Sequence, residues 1–446
     1  MKKSTLVVLL LAAALAGYVY YSEFRHPKLP VAEDAPVPLY AISSDEITSI
    51  RVTSPGANAP VTLERHPDGW VLTSPVETRA DRSAAESLAG DLARAASSRR
   101  MSTDPARMKE FGLDPAAVSV EFRLKNGQAK GLDLGAKDFS EMSVYAQPRG
   151  SKDVVLLPVS LLTDTARPVS ELRDRAVLEL SSWSLTELDF RTAKSRFRLE
   201  KKGEYWNLTE PRELPADAEA AAGFSASLSS ARFSEVAEEQ LKEASAAARY
   251  GLAAPQVTVH VRNEQGAEAS LLIGKKDDTK YFARDAARSM VFHVDDPLVK
   301  KFLDACLDSL RDKHVLRAKA DDFSQLTVRS DKGTMSATRS ADGKWLVQDP
   351  EDRKGKEMSV WRVFEPLTAT PATQVLDQPG APTLAKLAKP AVEIILTDAK
   401  GAATTVVVSA KDGDTIYARS SRSPAVFKLN ATALSQLEFT AAEGAP

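Results

Sequence analysis

The chain begins with an apolar run, and the rest of it alternates between short strand patterns and helix patterns. Lys2 and Lys3 precede an apolar run from Leu6 to Tyr21, which reaches Phe24 if the next residues are included. As a helix, residues 6–24 would span roughly 28 Å, close to the hydrocarbon thickness of a bilayer. Basic residues before such a run stay in the cytoplasm, which places residues 25–446 on the other side. Residues 1–25 are therefore predicted to be a transmembrane anchor or a signal segment.

Two fates of this segment fit the sequence. Ala14-Leu15-Ala16 has the small-x-small pattern of a signal-peptide cleavage site, so one prediction is a protein secreted after cleavage near Ala16. Four of the residues at positions 18–24 are aromatic, and such residues are typical of the membrane–water interface. We favour the second reading, a single-pass anchor in the cytoplasmic membrane. Residues 26–40 contain four prolines, which predicts an extended spacer between the membrane and the body.

The body shows period-two alternation, interrupted by helix patterns. Such alternation across polar turns is typical of antiparallel strands with one buried face. Asp81 is the predicted N-cap of a helix over Arg82–Ala96, and Asp217 that of a helix over Ala218–Ser230. Strands, a helix, more strands and a closing helix, joined by short connections, predict an α+β fold rather than a doubly wound sheet.

Landmark residues recur along the body at a nearly constant spacing. Trp70, Trp206 and Trp345 lie 136 and 139 residues apart, and each precedes a proline by five residues. The repeat markers are Trp70, Trp206, Trp345, Gly112, Gly251, Pro115, Pro255, Pro390, Tyr145, Tyr281 and Tyr417. They predict three tandem antiparallel-sheet-plus-helix modules over residues 41–174, 175–316 and 317–446, the third being degenerate.

The markers have structural interpretations. Gly112 and Gly251 follow short helices, and a proline stands a few residues later, which predicts a left-handed helix C-cap. The three tryptophans are predicted to pack across the sheet onto the helix of their module. A carbohydrate-stacking role for them stays open beside this core role.

Composition excludes several classes of function. The 446 residues carry 59 Lys and Arg against 61 Asp and Glu, a net charge of −2, which argues against a nucleic-acid-binding protein. The single cysteine, Cys306, excludes a disulfide scaffold and a thiolate metal site. Cys306 is predicted to be a buried, inert thiol in a helix over Pro297–Leu310.

The sequence carries no motif of a familiar catalytic site. It has no nucleophile elbow, P-loop or dinucleotide fingerprint. The five histidines lack metal-ligand spacing and are predicted to be isolated surface or structural residues: His26, His66, His260, His293 and His314. Asp412-Gly413-Asp414 lacks the later ligands of a calcium loop and is predicted to be a hairpin turn. No catalytic, cofactor-binding or metal-ligating residue is therefore predicted, and no cofactor.

The repeated motifs resemble a known bacterial family of domains of unknown function, the one numbered 4340. The resemblance rests on Gly-Trp-x-Leu-x-x-Pro, Ala-Asp, Phe-Gly-Leu-x-x-Pro, Leu-x-Leu-Gly, Tyr-Ala and Leu-Arg-Asp, and it covers most of residues 41–446. It is weakest in the third module, where Ser409 replaces the glycine of Leu-Gly and no Phe-Gly-Leu precedes Pro390. The resemblance implies an N-terminal anchor and repeated α+β modules, and for some members a place beside ABC transporters of the gliding-motility type. It supplies no catalytic residues.

From these features we expect a non-enzymatic, membrane-anchored protein of the bacterial cell envelope, with its body in the periplasm or outside the cell. Its extended repeat surface would serve scaffolding or accessory binding. Its expected partners are the cytoplasmic membrane, through residues 6–24, and an envelope protein, with an ABC-type transporter complex implied by the resemblance. The alternative is an envelope hydrolase or a ligand-binding protein with a site between modules.

Overall fold

The computed structural model describes residues 36–97, 99–102, 105–242 and 244–438. The chain divides into two compact units, Met1–Arg175 and Ala176–Pro446. The predicted anchor or signal segment over residues 1–25 lies outside the described residues, as does most of the spacer. Within the described part of the chain, no helix is both long enough and apolar enough to cross a bilayer.

The first unit is built on a nine-stranded antiparallel sheet, here called the first sheet. The strands of this unit, in chain order, are β1 (Val37–Pro38), β2 (Ile47–Thr53), β3 (Val61–His66), β4 (Gly69–Ser74), β5 (Thr78–Arg79), β6 (Ala96–Ser97), β7 (Arg99–Ser102), β8 (Val118–Leu124), β9 (Ala129–Lys137), β10 (Ser143–Pro148) and β11 (Asp153–Pro158). All but β1 and β6 belong to the first sheet. The sheet order is β5-β4-β3-β2-β8-β9-β10-β11-β7, and β1 pairs with β6. The β2–β8 pair therefore joins the two halves of the sheet.

The second unit contains two more antiparallel sheets. Its strands are β12 (Leu185–Thr192), β13 (Arg196–Lys202), β14 (Tyr205–Glu210), β15 (Leu214–Pro215), β16 (Val236–Glu238), β17 (Val257–Asn263), β18 (Glu268–Asp277), β19 (Lys280–Asp285), β20 (Val291–Asp295), β21 (Gln325–Ser330), β22 (Gly333–Arg339), β23 (Trp345–Asp349), β24 (Gln374–Leu376), β25 (Val392–Thr397), β26 (Ala403–Val408), β27 (Thr415–Ser420) and β28 (Val426–Asn430). The second sheet has the order β15-β14-β13-β12-β17-β18-β19-β20-β16, and the third has β23-β22-β21-β25-β26-β27-β28-β24. The strand order of the first sheet thus recurs in both, with one edge strand fewer in the third.

Helices connect and cover the sheets. They are α1 (Arg82–Ala93), α2 (Val159–Thr165), α3 (Val169–Leu172), α4 (Ala218–Ser230), α5 (Ala244–Arg249), α6 (Asp296–Leu303), α7 (Leu307–Leu310), α8 (Trp361–Thr368), α9 (Ala381–Leu387) and α10 (Thr432–Leu437). Short 3-10 helices span Ser44–Glu46, Pro105–Phe111, Ala320–Asp322 and Glu351–Arg353. The predicted α+β class, with antiparallel sheets and helices arranged in several modules, is confirmed.

Side-chain caps fix where the two longest helices begin. The Asp81 carboxylate accepts a hydrogen bond from the Ala84 amide, and the Asp217 carboxylate accepts two from the first turn of α4. Helix α4 has the predicted bounds. Helix α1 ends three residues before its predicted end, because Ala96 belongs to strand β6, where it pairs with Pro38.

The helix predicted over Pro297–Leu310 is two helices, and the prediction of a buried Cys306 is wrong. Helix α6 ends at Leu303, and α7 begins only at Leu307. Cys306 occupies the N-cap position of α7, where its amide donates to the Ser309 hydroxyl at 3.1 Å and the residue is exposed. The restart of the helix, rather than its amphipathic pattern, decides where the thiol lies.

Each sheet buries one face against its own helices. In the second sheet, the rings of Phe190 on β12, Phe224 on α4 and Phe302 on α6 lie with their centroids 5.2–5.3 Å apart. Such aromatic clusters contribute large buried areas and specific ring–ring contacts. Helix α4 is thereby held on the sheet at a fixed position, which fixes the position of its first turn as well.

Replacing Asp217 with alanine should destabilise the fold by about 1 kcal/mol, because two amides of α4 lose their acceptor. Urea unfolding of the full chain, followed by circular dichroism, measures the effect. Asp217→Asn is the matched control, since an asparagine oxygen still caps a helix. Equal losses in both variants would contradict the assigned cap.

Candidate functional site

Two glycine markers of the second sheet come together at a backbone contact. Gly251 follows α5 with φ +72°, as the predicted left-handed C-cap requires. A Cβ on Gly274 would lie 2.0 Å from the Tyr250 carbonyl oxygen, so only glycine fits there without a shift of the chain. The same oxygen accepts a hydrogen bond from the Lys275 amide at 2.9 Å. The Tyr-Gly-Leu loop therefore lies directly on the Ile-Gly segment of β18.

The first sheet repeats this contact. Gly112 has φ +68°, and a Cβ on it would lie 2.7 Å from the Ala136 amide nitrogen. A Cβ on Gly135 would lie 2.1 Å from the Phe111 carbonyl oxygen. Pro115 follows this loop just before β8 begins, as Pro255 follows the corresponding loop before β17. The two motifs are therefore two halves of one packing contact.

The third sheet replaces the contact with a serine. Ser409 is 1% exposed, its hydroxyl donates to the Ala410 carbonyl at 2.8 Å, and it accepts from the Tyr417 amide at 3.0 Å. A side chain is tolerated here because the sequence before Pro390 carries no Gly-Leu loop to press on it. Pro390 itself follows α9 and precedes β25.

One tyrosine marker is displaced by a residue. Tyr145 precedes the alanine that pairs with Leu134, and Phe282 precedes the alanine that pairs with Ile273. Phe282, rather than Tyr281, is therefore the counterpart of Tyr145, so the constant spacing of 136 residues misassigns Tyr281. Tyr281 is 6% exposed and belongs to the core of the second sheet.

The ring contacts agree with this corrected register. Phe111 and Tyr145 meet edge to face with centroids 4.9 Å apart, and Tyr250 and Phe282 do so at 4.8 Å. In the third sheet, Tyr417 precedes the alanine that pairs with Val408. Each ring before a loop glycine thus packs on the ring of the neighbouring strand in the first two sheets.

The three tryptophans occupy corresponding strand positions but unlike surroundings. Trp70 is 3% exposed and Trp345 is 6% exposed, and both belong to the cores of their sheets. Trp206 is half-buried, packs against the second core from its edge and lines a cavity. The Arg65 guanidinium lies 4.5 Å from the Trp70 ring centroid.

The Leu-Arg-Asp motif closes each of the first two modules by pairing with Ala-Asp. Ala80 bridges Arg173, and Ala216 bridges Arg311 in the same antiparallel manner. The Asp217 amide donates to the Leu310 carbonyl at 2.9 Å, beside the start of α4. The motif therefore places Arg311, which is only 7% exposed, next to the first turn of α4.

Arg311 also carries the contact between the second and third sheets. Its two terminal nitrogens donate to the Asp377 carboxylate at 2.8 and 2.9 Å, and Arg212 forms a second ion pair with the same carboxylate. These hydrogen bonds, led by the one from Arg311, hold the pKa of Asp377 below its ordinary value. A paired, bidentate arginine–carboxylate contact of this kind fixes geometry as well as charge.

The segment after Arg311 carries a histidine–carboxylate pair. His314 Nδ1 lies 2.6 Å from an Asp312 carboxylate oxygen, whose hydrogen bond raises the pKa of the imidazole above 6.5. Arg317 donates to the Trp206 carbonyl, and its guanidinium lies 4.6 Å from the Tyr205 ring centroid. Burial lowers the pKa of Arg317, although a guanidinium stays protonated in proteins.

Cavities flank this segment on two sides, and the one lined by four arginines is here called the basic cleft. One cavity, of about 400 Å³, is lined by residues that include Arg212, Arg311, Arg317, Arg422 and Asp377. The other, of about 300 Å³, is lined by Glu204, Tyr205, Trp206, Asp217, Asp312 and Lys319 among others. Both cavities include His314 and Arg317 in their walls.

Outside the basic cleft, two other histidines also have polar partners. His293 Nε2 lies 2.9 Å from the Asp277 carboxylate, and the His260 ring bonds the Ser270 hydroxyl at 3.0 Å. His293 and His314 therefore have carboxylate partners, and His260 has a hydroxyl partner. No group of three or more His, Cys, Asp or Glu among the described residues is arranged to hold a metal ion. The Asp412–Asp414 segment is the predicted hairpin turn between β26 and β27.

Sequence reasoning did not assemble the basic cleft. Arg311 carried a signal, since it belongs to the recurring Leu-Arg-Asp motif. Asp377 carried none, because it has no counterpart in the repeat markers and meets Arg311 only in the folded chain. The cleft can bind through charge and through the bidentate geometry of guanidinium groups, and the half-buried Trp206 lines the neighbouring cavity.

Replacing Gly274 with alanine should destabilise the fold by about 2 kcal/mol, because the new Cβ overlaps the Tyr250 carbonyl oxygen. Gly223→Ala is the matched control in the same unit: its Cβ would meet the Lys301 ammonium at 3.4 Å, and alanine favours the α4 helix. Urea unfolding midpoints should fall for Gly274→Ala and stay level or rise for Gly223→Ala. Equal shifts would sink the packing argument.

The stability contributed by His314 should depend on pH. The pKa of His314 is higher in the folded chain than in the unfolded one, so the protonated imidazole stabilises the fold fully below about pH 6.5. This stabilisation is lost as the pH rises through the folded pKa. We expect His314→Gln to lower the unfolding midpoint more at about pH 5.5 than at about pH 9. Asp312→Asn should remove that dependence, since it removes the anionic partner. A His314→Gln effect that does not change with pH would refute the pairing.

Comparisons with known proteins place the chain in a family. No curated protein matches it. Solved structures include weak matches to DNA polymerase III β subunits: the DnaN sliding clamp of Pseudomonas aeruginosa bound to griselimycin (8% identity, 88% of this chain, 92% of that one, TM-score 0.15), a putative β subunit of Eubacterium rectale (8%, 89%, 93%, 0.15) and that of Borrelia burgdorferi with a natural product (6%, 90%, 94%, 0.13). TM-scores this low carry no argument. The model of the family described as "Domain of unknown function (DUF4340)" matches residues 70–205 and 206–390. These matches cover more than half of the chain, which therefore belongs to the DUF4340 family.

Proposed function

We propose that the chain is a non-enzymatic accessory protein of the bacterial cell envelope that binds an anionic group of a partner in the basic cleft. The observation that carries this proposal is the lining of the larger cavity, in which Arg212, Arg311, Arg317 and Arg422 all take part. Guanidinium groups keep their protons at any physiological pH. The same walls carry the carboxylates of Glu213, Asp312 and Asp377, which leaves one positive charge in excess. Guanidinium groups are suited to holding carboxylate or phosphate groups rather than to moving protons.

The arrangement of the arginines supports binding. Arg212 and Arg311 already hold the Asp377 carboxylate, so they bind an anion of the chain itself and are not open to an incoming one. Arg422 donates from Nε to the Thr404 hydroxyl at 2.8 Å; among the described residues, its side-chain hydrogen bonds run through that nitrogen. The terminal nitrogens of Arg422 are therefore the first candidates for contact with a partner.

The location follows from the sequence pattern. We propose that residues 6–24 form an N-terminal transmembrane helix, followed by a spacer over 26–40 and the three tandem modules, with the body in the periplasm or outside the cell. The ABC-type transporter partner rests on the family resemblance. Tandem modules of one topology offer an extended surface on which such a partner could be bound.

One observation favours a second candidate, an envelope hydrolase. The Asp312–His314 pair is the arrangement of a general base and its orienting carboxylate, and it lies in the walls of the cleft. Turnover of a cell-wall polymer by the purified chain, abolished in His314→Gln and retained in His260→Gln, would replace the binding proposal with this one.

Photocrosslinking in intact cells tests the cleft. A photoreactive amino acid replaces Glu213, which is exposed and lines the larger cavity. We expect it to capture a membrane protein, and we expect Arg422→Gln to reduce the capture about tenfold, as the loss of a charged hydrogen bond predicts.

Two matched controls belong to this experiment. Arg191→Gln removes the same charge from an exposed position of β12 and should leave the capture unchanged. Glu77 stands four residues before the N-cap Asp81, as Glu213 stands before Asp217, and a photoreactive residue there should capture nothing of the kind. The same adduct from Glu77, or capture that is indifferent to Arg422, would overturn the assignment of the cleft.

The anchor has its own test. Mass spectrometry of the chain isolated from membranes should find residues 6–24 still attached to the body. A mature chain that begins at Gly17 would end the anchor proposal and favour a secreted protein.

A further inference from the structure

Two large apolar side chains project into solvent from one hairpin of the first unit. The hairpin joins β9 to β10, and its tip runs from Asp138 to Met142. Phe139 is 98% exposed and Met142 is 75% exposed. Two large apolar side chains exposed on one loop form an apolar patch, and exposed apolar patches are typical of interaction surfaces.

The tip is built by its own hydrogen bonds. The Asp138 carboxylate accepts from the Ser140 hydroxyl at 2.8 Å and from the Ser143 amide at 3.1 Å. The Asp138 amide donates to the Ser143 carbonyl at 2.9 Å, and Glu141 takes a left-handed φ of +58°. These bonds order the loop, and the Met142 carbonyl accepts a further hydrogen bond from the Val159 amide at 3.0 Å. The two apolar side chains are thereby presented outward from a fixed frame, which lowers the entropy cost of binding.

The corresponding hairpins of the other two sheets are polar. The turn between β18 and β19 consists of Asp278 and Thr279, both exposed. The loop between β26 and β27 carries Lys411, Asp412 and Asp414 and no large apolar residue. The apolar tip therefore belongs to the first module alone among the three described, and that module is the one that follows the predicted anchor.

The first described residues lie towards the same end of the first unit as the tip. Pro158 on β11 pairs with Ser143 beside the tip, and Leu156, two residues away, pairs with Arg99 at the start of β7. Strand β6 immediately precedes that start, and its Ser97 pairs with Val37 of β1. The first described residues thus lie at the edge of the sheet from which the hairpin projects.

We propose that Phe139 and Met142 insert into the interface of the lipid bilayer that residues 6–24 span. The inference rests on the proposed anchor, since it is the anchor that brings a bilayer to this end of the sheet. Residues 25–36 could reach roughly 40 Å if extended, so they permit the contact without forcing it. Lys137 forms an ion pair with Glu141 at 3.8 Å beside the tip, which neutralises the lysine charge. The proposed contact therefore does not depend on attraction to anionic lipid.

The experiment uses the full chain in phosphatidylcholine vesicles. Cys306→Ser removes the single thiol, and Met142→Cys then carries an environment-sensitive fluorophore beside an intact Phe139. Thr279→Cys, at the tip of the corresponding hairpin of the second sheet, is the matched control. We expect a nitroxide-labelled phosphatidylcholine to quench the fluorophore at position 142 and not at position 279. Phe139→Ser should weaken that quenching about tenfold, because the larger apolar group is lost.

Co-flotation with the vesicles separates the two proposals. If the chain floats and position 142 is quenched no more than position 279, the anchor stands and the hairpin contact is refuted. If the chain does not float, both fail. A change at position 142 that follows protein concentration rather than lipid would assign the tip to a second copy of the chain and overturn the lipid contact.

Discussion

In the first two sheets, the position of the loop before the central strand depends on one close approach between two pieces of backbone. In each, a carbonyl oxygen at the end of a short helix occupies the space that a Cβ would need, about 2 Å away, on a glycine of the following strand pair. The loop that makes this approach leads directly into the strand at the centre of the sheet, β8 or β17. The contact thus fixes the loop, the central strand and its neighbour relative to one another, and the ring pairs Phe111–Tyr145 and Tyr250–Phe282 pack beside it. A side chain at either strand glycine would separate all of them.

The third sheet shows what happens when this constraint is removed. Ser409 stands where the glycine would be and satisfies its hydroxyl on neighbouring backbone groups. The helix before its central strand, α9, carries a lysine whose ammonium lies 5.1 Å from the Tyr417 ring centroid. The sheet keeps the strand order of the others because its own core, from Val315 to Leu437, still holds it together. The strand order of the three sheets is therefore set by their buried strands, while the glycine contact sets the position of the loop.

Local features of this fold could be predicted from the sequence, and contacts between distant segments could not. The caps at Asp81 and Asp217 depend on residues within three positions, so the pattern contained them. The register of Tyr281 could not be found by counting, because the hairpin of the second sheet is two residues shorter: 12 positions separate Leu134 from its partner Ala146, and 10 separate Ile273 from Ala283. The exposure of Cys306 depends on a break between two helices. The basic cleft depends on Arg311 and Asp377, which are 66 positions apart and share no motif.

The departures from the repeat are the places where function is to be sought. What recurs in the first two modules, the glycine contact and the pairing of Ala-Asp with Leu-Arg-Asp, is explained by the folding of each module alone. A residue that folding does not require needs another reason to be there. Asp377 pairs with Arg311, a residue of a repeated structural motif, in a cleft that three other arginines also line. Phe139 and Met142 replace the polar turn that suffices in the other sheets, and burial within their own module does not explain them, since both face solvent. The first departure lies in a cavity that four arginines line, and the second exposes two apolar side chains. These are the observations on which the proposed partner site and the proposed lipid contact rest.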